Sequence, residues 1–238
     1  DPQGIKKFNQ KVLKTFINFK PDIIVLGHAD TLLKETIMLM KRIQDVKICQ
    51  WFLDPLIKSG PDFLKNKKRI QNLEDCIDST FLTTYPKSLS FNLKNSFFIP
   101  NPSDISFEYL NNSKSKRKYD LFFAMSHGVH RGKLKKGKYD DREKILRQIE
   151  NKIENIDFDF FGYKQKQPLW ADSFLETIND YDMGLNLSRG KPIKYYSSDR
   201  IVQIIGNGLL CFINKKTEIN KLIPANCAVF YKDTNDLV

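Results

Sequence analysis

The stretch from Asp182 to Ile213, DMGLNLSRGKPIKYYSSDRIVQIIGNGLLCFI, constrains the fold more than any other part of the chain. It begins with a short apolar strand, MGLNLS, which is followed by a polar, basic loop, RGKPIKYYSS. Apolar residues then recur at helical spacing from Asp199 to Asn207, with Ser197 or Ser198 as the N-cap. Two glycines close this helix before a second buried strand, LLCFI. Strand, loop, helix and strand in this order predict one βαβ unit.

The loop and the first turn of that helix are rich in cations. In a βαβ unit they face the crevice at the carboxyl ends of the strands, where free backbone N–H groups and the helix dipole favour an anion. Arg200 lies in the first helical turn, and Arg189, Lys191 and Lys194 precede it. Positive charge at this position opposes the helix dipole, and a phosphate ligand would explain it. The alternative is that these residues are solvated loop cations without a ligand.

The rest of the chain alternates between helical and strand patterns. Helical spacing recurs in three segments of the first third, which are residues 4–19, 31–44 and 61–74. Residues 111–118, NNSKSKRK, are polar and charged and are the best candidate for a linker, because the alternation restarts after them. We therefore predict an α/β protein with two Rossmann-like domains, 1–112 and 118–238, that face each other across a cleft.

Composition narrows the classes of partner. The 238 residues carry a net charge of +11, which suggests a nucleotide phosphate, a nucleic acid or an acidic membrane surface. A composition rich in Lys, Asn and Ile also arises from genome base bias, so the charge alone is weak support. No apolar run approaches the roughly 18 residues needed to span a bilayer, and no signal peptide is visible. The four cysteines lack CxxC spacing, and Cys49 and Cys211, which lie inside apolar strand-like runs, indicate buried thiols in a reducing compartment.

Motif patterns argue against several chemistries. The P-loop GxxxxGK(S/T) and the GxGxxG fingerprint are absent, which disfavours a P-loop kinase and an ordinary dinucleotide dehydrogenase. Asp157-Phe158-Asp159 resembles the Asp-x-Asp with which one class of sugar transferases holds a metal, but two carboxylates at a strand edge are the simpler interpretation. His127 and His130 would supply two metal ligands at most, so we expect no metal site.

Two loops that follow predicted strands hold the other candidate residues. The loop after the first strand of the second domain is expected to line the cleft with Ser126, His127, Gly128, His130 and Arg131. The alternative is an ordinary surface loop. His28 and Asp30 follow a strand of the first domain, at a position where catalytic residues often lie. For His28, a structural hydrogen-bonding role is the alternative.

Together these stretches resemble the two-domain GT-B glycosyltransferases, and among them the spore-maturation-protein-like (CgeB-type) family related to the group 1 transferases. The resemblance runs from Pro21 to Val238 and is carried by KPDIIVLGHAD with ICQWFLDP, FFIPNPSD, YDLFFAMSHGVHRGKL with DDRE, and GLNLSR with YYSSDRIVQIIGNGLLCFI. It implies an N-terminal acceptor domain and a C-terminal domain that binds a nucleotide-sugar donor. It also implies further strands before Asp1, so the N-terminal domain is expected to be truncated.

The resemblance also implies roles within the donor domain. Arg200 would contact the donor diphosphate, and the helix start at Ser198 and Asp199 would offer it backbone N–H groups. Position 203 would bind the ribose hydroxyls, but Gln203 stands where a glutamate is usual. Tyr195 stands where many retaining members have another glutamate, which puts two-glutamate retaining catalysis in doubt. The full expected donor-binding set is Ser126, His127, Gly128, His130, Arg131, Asn186, Lys194, Ser197, Ser198, Asp199, Arg200 and Gln203.

The expected function is a metal-independent glycosyltransferase that needs no cofactor beyond its nucleoside-diphosphate-sugar donor. We expect a glycan, lipid-linked or protein acceptor, and the expected catalytic residues are His28, Asp30 and Arg200. The expected location is the cytoplasm, with peripheral association at the inner face of the membrane through basic segments. The alternative, suggested by Gln203 and Tyr195, is a catalytically weak or inactive nucleotide- or glycan-binding module. Nucleic-acid binding is disfavoured because no recognisable module is present.

Overall fold

The computed structural model describes residues 1–58, 60, 62–126, 129–130, 133–134 and 140–238, without the side chains of residues 129, 130, 133, 134 and 225. The chain forms two compact units, Asp1–Pro100 and Asn101–Val238. Each unit is built around one parallel β-sheet, and α-helices connect most of its successive strands. The α/β class and the two Rossmann-like domains predicted from the sequence are therefore confirmed.

The first unit has four parallel strands in the order β1-β2-β3-β4. The strands are β1 (Ile23–Gly27), β2 (Lys47–Phe52), β3 (Ser79–Leu82) and β4 (Ser96–Phe98). The helices are α1 (Pro2–Phe19), α2 (Lys34–Ile43) and α3 (Phe63–Leu73). Among the described residues, no helix is both long and apolar enough to cross a bilayer.

The two faces of this sheet differ in how they are covered. Leu26 and Ile48 belong to a core that also includes Phe16 of α1, Ile37 of α2 and Leu73 of α3. On the opposite face, Ile23, Val25 and Phe97 are 64%, 60% and 51% exposed. Because side chains alternate between the two faces of a strand, the described helices pack on one face only.

The second unit has five parallel strands in the order β11-β10-β9-β5-β8. The strands are β5 (Tyr119–Ala124), β8 (Phe158–Phe161), β9 (Tyr181–Leu185), β10 (Leu210–Asn214) and β11 (Ala228–Tyr231). The helices are α4 (Asp141–Lys152), α5 (Ala171–Ile178), α6 (Asp199–Gly206) and α7 (Thr234–Leu237). A separate antiparallel pair is formed by β6 (Val129–His130) and β7 (Lys133–Leu134).

Strand β5 lies where the order of strands reverses. The chain first adds β8 on one side of β5, then crosses to add β9, β10 and β11 on the other. The side chains of β5 are buried on both faces: Phe122 belongs to one core, and Leu121 and Phe123 belong to the other. In open α/β sheets, ligands bind at the carboxyl ends of the strands beside such a reversal.

The two compact units divide between Pro100 and Asn101, whereas the sequence predicted a linker at residues 111–118. The difference arises because Asn112 is buried within the second unit. Its side-chain nitrogen donates hydrogen bonds to the carbonyl oxygens of Ile178 and Tyr181, both at 2.9 Å. Its backbone N–H donates to the carbonyl oxygen of Asn207 at 3.0 Å. The boundary between the two compact units thus falls before residues 111–118, and Asn112 donates hydrogen bonds to carbonyls inside the second unit.

Candidate functional site

A cavity of about 660 Å³ opens at the carboxyl end of β5. The end of β5 and the residues after it contribute Ala124, Met125 and Ser126 to its wall. The start of α5 contributes Trp170, Ala171 and Asp172, and the start of α6 contributes Ser198, Asp199, Arg200 and Gln203. Residues at the N-termini of two helices therefore line one cavity beside the strand reversal, and the free backbone N–H groups of a helix N-terminus favour an anionic ligand.

Arg200 is held in the wall of this cavity by backbone carbonyls. Its Nε donates a hydrogen bond to the carbonyl oxygen of Ala124 at 3.2 Å, and one terminal nitrogen donates to that of Leu187 at 2.9 Å. The guanidinium carbon lies 5.0 Å from the centre of the Phe123 ring. Within the described residues, the second terminal nitrogen has no hydrogen-bond partner. The guanidinium is thus fixed in orientation and keeps donor capacity for a ligand.

The environment of Arg200 disfavours its charged form. Burial, followed by the positive charge of nearby Arg142, lowers the pKa of the Arg200 guanidinium to about 10. Arg142 is itself paired with the buried carboxylate of Asp140 at 2.7 Å. At neutral pH Arg200 still carries its proton, so the cavity holds a partly desolvated cation whose energy an anion would lower.

The start of α6 is organised by hydrogen bonds between polar side chains. Ser198, one of the two serines predicted for this position, is the N-cap, but its Oγ donates to Oδ1 of buried Asn186 at 3.0 Å instead of capping the helix. The buried Oγ of Ser197 accepts from the backbone N–H of Asn101 at 2.8 Å. Asn186 and Ser197 therefore position the helix start, whereas Ser198 and Asp199 also line the cavity.

Aromatic side chains lie at the rim of the same cavity. Trp170 is 49% exposed and Phe107 is 66% exposed, and both line the cavity. Trp170 directly precedes α5, and Ala171 has a φ of 47°, a conformation that non-glycine residues rarely adopt. Exposed aromatic surface beside a polar pocket is suited to stacking on a planar ring.

Lys194 does not line the cavity. Its ammonium lies 3.1 Å from a carboxylate oxygen of Glu218 and 5.0 Å from the centre of the Tyr195 ring. Lys194 therefore pairs with neighbouring side chains. This agrees with the alternative that the loop cations are solvated and hold no ligand. His127, Gly128 and Arg131 lie outside the described residues, and His130 is described only as part of the β6 backbone.

Asp159 of the Asp-x-Asp motif is engaged inside the second unit. Its carboxylate accepts hydrogen bonds from the hydroxyl of Tyr181 and from the ammonium of Lys166. Burial, with the neighbouring carboxylate of Asp159, raises the pKa of Tyr181 far above its ordinary value. Among the described residues, no group of three His, Cys, Asp or Glu side chains is placed to hold a metal ion.

His28 and Asp30 lie in the first unit, beside a smaller cavity of about 340 Å³. The His28 ring stacks on Phe52, with ring centres 5.6 Å apart, and its φ is 45°. Both oxygens of Asp30 pair with the guanidinium of Arg69, which limits Asp30 as a general base. Lys65 and Lys68 of α3 line the same cavity.

Sequence reasoning missed two carboxylates of the larger cavity, Glu108 and Asp172. Glu108 belongs to the segment before the predicted linker, and Asp172 lies in the first turn of α5. Among the described lining residues, Glu108, Asp172 and Asp199 are the acidic ones and Arg200 is the basic one. The cavity thus offers one cation for an anionic group and several carboxylates that accept hydrogen bonds from hydroxyl groups.

Comparison with known proteins bears on the second unit. A family model described as "Glycosyl transferase-like" matches residues 141–238, a range that includes α5, α6 and Arg200. No curated protein matches the chain in sequence.

Three solved structures are similar to this chain over nearly all of its length. The UDP-GlcNAc 2-epimerase from Methanocaldococcus jannaschii aligns with a TM-score of 0.45 and 10% identity, over 98% of this chain and 72% of its own. The S. aureus MnaA–UDP co-structure aligns with a TM-score of 0.48 and 13% identity, over 99% of this chain and 70% of its own. A putative UDP-N-acetylglucosamine 2-epimerase from Listeria monocytogenes aligns with a TM-score of 0.47 and 13% identity, over 98% of this chain and 68% of its own.

Proposed function

We propose that the second unit binds a nucleoside-diphosphate sugar and that the protein is a glycosyltransferase. The observation that carries this proposal is the position of Arg200. It lines a cavity at two helix N-termini, within the range that the glycosyl transferase-like family model matches. The acceptor would be a glycan, a lipid-linked glycan or a protein.

In the proposed mechanism, Arg200 stabilises the leaving diphosphate. When the bond between the sugar and the diphosphate breaks, negative charge develops on the phosphate oxygens. The fixed guanidinium and the start of α6 supply positive potential there without reorganisation during the reaction. The pKa of Arg200, lowered by burial and by Arg142, supports this role because an anion would compensate for the partly desolvated charge.

The proposed mechanism uses no metal ion: Arg200 and the dipole of α6 stabilise the leaving diphosphate. The sugar and ribose hydroxyls would donate to carboxylates such as that of Asp172. The exposed rings of Trp170 and Phe107 would stack on the base. We assign the acceptor side to His28, since Asp30 is already paired with Arg69. The cytoplasmic, peripheral location remains part of the same proposal.

A second candidate function is a module of the same fold that binds a nucleotide or glycan without transferring sugar. Gln203 lines the cavity with a neutral amide. Tyr195 has a φ of 58°, and its backbone N–H donates to the carbonyl oxygen of Thr217 at 2.6 Å. Neither position supplies a carboxylate, so two-glutamate retaining chemistry has no support there.

A thermal-shift panel tests the donor site. UDP, GDP, CDP, dTDP and ADP are each added to the protein with and without EDTA. A ligand at 100 times its Kd adds roughly 2.7 kcal/mol of stability, which is easily measured as a rise in Tm. Stabilisation by a diphosphate that is insensitive to EDTA supports the proposal. No shift with any nucleotide contradicts it. Binding without release of diphosphate from the sugar donor, across a panel of acceptors, favours the second candidate.

A further inference from the structure

The segment Asn101–Glu108, here called the strap, is attached to the face of α6 that lines the cavity. The side-chain nitrogen of Asn101 donates to the carbonyl oxygen of Ser197 at 3.0 Å and to Oδ1 of Asp199 at 2.8 Å. Asp199, Gln203 and Gly206 are spaced by four and three residues, so they share one face of α6. The strap therefore begins at the N-terminus of this face.

The far end of the strap packs on Gly206. A Cβ atom at residue 206 would lie 2.7 Å from both Cβ and Cγ of Glu108, and 2.7 Å from Oγ of Ser103. Such distances are too short for real carbon atoms, so the close approach requires glycine at this position. The stem of Glu108 is consequently fixed one helical turn from Gln203, and both residues line the cavity.

Within the described residues, only one of the two carboxylate oxygens of Glu108 accepts hydrogen bonds. Its Oε2 accepts from the backbone N–H of Asp104 at 2.8 Å and from Oγ of Ser103 at 3.5 Å. The backbone N–H of Glu108 donates to the carbonyl oxygen of Asp104 at 2.8 Å, which closes a tight turn. Within the part of the chain that the structure describes, Oε1 has no hydrogen-bond partner. The side-chain amide of Gln203 likewise has none among these residues.

We propose that Glu108, with Gln203, binds the 2′,3′-diol of a ribonucleotide and selects it over a deoxyribonucleotide. This inference rests on the proposed function of the cavity. An ionised oxygen is a stronger acceptor for hydroxyl donors than a neutral amide, so Glu108 supplies the charge that position 203 lacks. The turn at Asp104 fixes the carboxylate in advance, which lowers the entropy lost when the diol binds.

The competing interpretation is that Glu108 only closes its turn. Glu108→Gln separates the two roles, because the glutamine oxygen can still accept from the N–H of Asp104 and the stem still covers Gly206. The substitution removes the negative charge alone. Glu176→Gln is the matched control, since Glu176 is exposed on α5 and does not line the cavity.

The experiment measures Kd by calorimetry for four probes: UDP, 2′-deoxy-UDP, GDP and 2′-deoxy-GDP. For the base that binds, we expect the wild type and Glu176→Gln to prefer the ribonucleotide by about tenfold or more. Glu108→Gln should reduce this preference to within about twofold without weakening deoxyribonucleotide binding, as expected when one charged acceptor of the 2′-hydroxyl is lost.

Equal affinity of the wild type for a ribonucleotide and its deoxy form would overturn the inference, but it would not contradict the proposed donor site. This outcome needs no variant. The same conclusion follows if Glu108→Gln keeps the full preference. If neither base binds in either form, this inference fails, whereas the proposed function fails only if CDP, dTDP and ADP also give no thermal shift. The melting temperature of each variant without ligand checks that the fold is retained.

Discussion

The side chain of Glu108 lies directly on the backbone of Gly206, where a Cβ atom would come within 2.7 Å of its Cβ. Gly206→Ala should displace the strap, because the clashing atoms are at the base of the side chain and cannot rotate away. The greater helix propensity of alanine offsets part of the cost, by about 1 kcal/mol at most. We expect a small change in Tm but a weaker affinity for the diphosphate, by about tenfold if one charged hydrogen bond is lost.

Gly4→Ala is the control for this substitution. Gly4 also lies in a helix, and a Cβ there would contact the Asp1 side chain, whose nearest atom is a carboxylate oxygen at 3.3 Å. We expect normal nucleotide binding for Gly4→Ala. Normal binding by Gly206→Ala as well would show that the position of the strap does not matter for the ligand.

Gly184 in β9 is packed against Ile204 of α6. A Cβ at residue 184 would lie 2.7 to 2.8 Å from three side-chain carbons of Ile204. Gly184→Ala should lower the free energy of unfolding by about 1–3 kcal/mol, the usual cost of overpacking a core. Gly27→Ala in β1 is the control, because nothing lies within 4 Å of that Cβ position. Equal stabilities of the two variants in urea unfolding would contradict this packing.

Asn112 contributes to the stability of the second unit through its side-chain amide. Asn112→Ala should lower the free energy of unfolding by about 2–3 kcal/mol, because the carbonyls of Ile178 and Tyr181 lose a buried donor. Exposed Asn111 is the control, since its amide donates only to the nearby carbonyl oxygen of Tyr109 at 3.3 Å. If urea unfolding gave the same midpoint for both alanine variants, residues 111–118 would behave as a linker after all.

We expect the thiol of Cys211 to make the free energy of unfolding of the second unit fall at alkaline pH. Burial raises the pKa of its thiol well above the ordinary value, although the charge of Arg200 opposes this shift. Above about pH 9 the unfolded thiol ionises and the folded one does not, so the folded state binds more protons and stability falls as pH rises. This group alone contributes a fall of up to about 1.4 kcal/mol per pH unit.

Removing the thiol removes this contribution. Cys211→Ala should therefore be less stable than the wild type at pH 8, through the cavity it leaves, but the difference should shrink between pH 9 and 10. Urea unfolding under reducing conditions measures this difference in the free energy of unfolding. Cys227→Ala, at a partly exposed position, is the control. A difference that stays constant with pH would show that the Cys211 thiol does not titrate differently in the two states.

Local patterns in the sequence were sufficient to predict the βαβ unit that lies within the second compact unit. The structure has β9 at Tyr181–Leu185, α6 at Asp199–Gly206 and β10 at Leu210–Asn214, in the predicted order and with Ser198 as the N-cap. These elements follow from short-range periodicity and from capping residues, which a single sequence contains. The arrangement of the two domains across a cleft, and the roles assigned to individual site residues, stay predictions.

Contacts between distant parts of the chain could not be predicted in the same way. Asn112 contacts Ile178 and Tyr181, and Glu108 packs on Gly206, yet nothing near residues 101–112 indicates these partners. Polarity alone made Asn112 resemble a linker residue. The order of the strands and the packing of α6 determine where the strap lies, so Glu108 became a candidate only once the topology was known.

Titration calorimetry can show whether Arg200 binds the diphosphate of the ligand. The diphosphate that stabilises the protein most is titrated into wild type, Arg200→Lys and Arg189→Lys. Arg189 is exposed and does not line the cavity, so it controls for the same chemical change. Lysine keeps the charge but cannot hold both carbonyls and a phosphate in one plane. We predict that Arg200→Lys binds about tenfold more weakly or worse, as expected for the loss of a charged hydrogen bond, while Arg189→Lys binds normally. A folded Arg200→Lys protein with wild-type affinity would show that Arg200 does not bind the diphosphate.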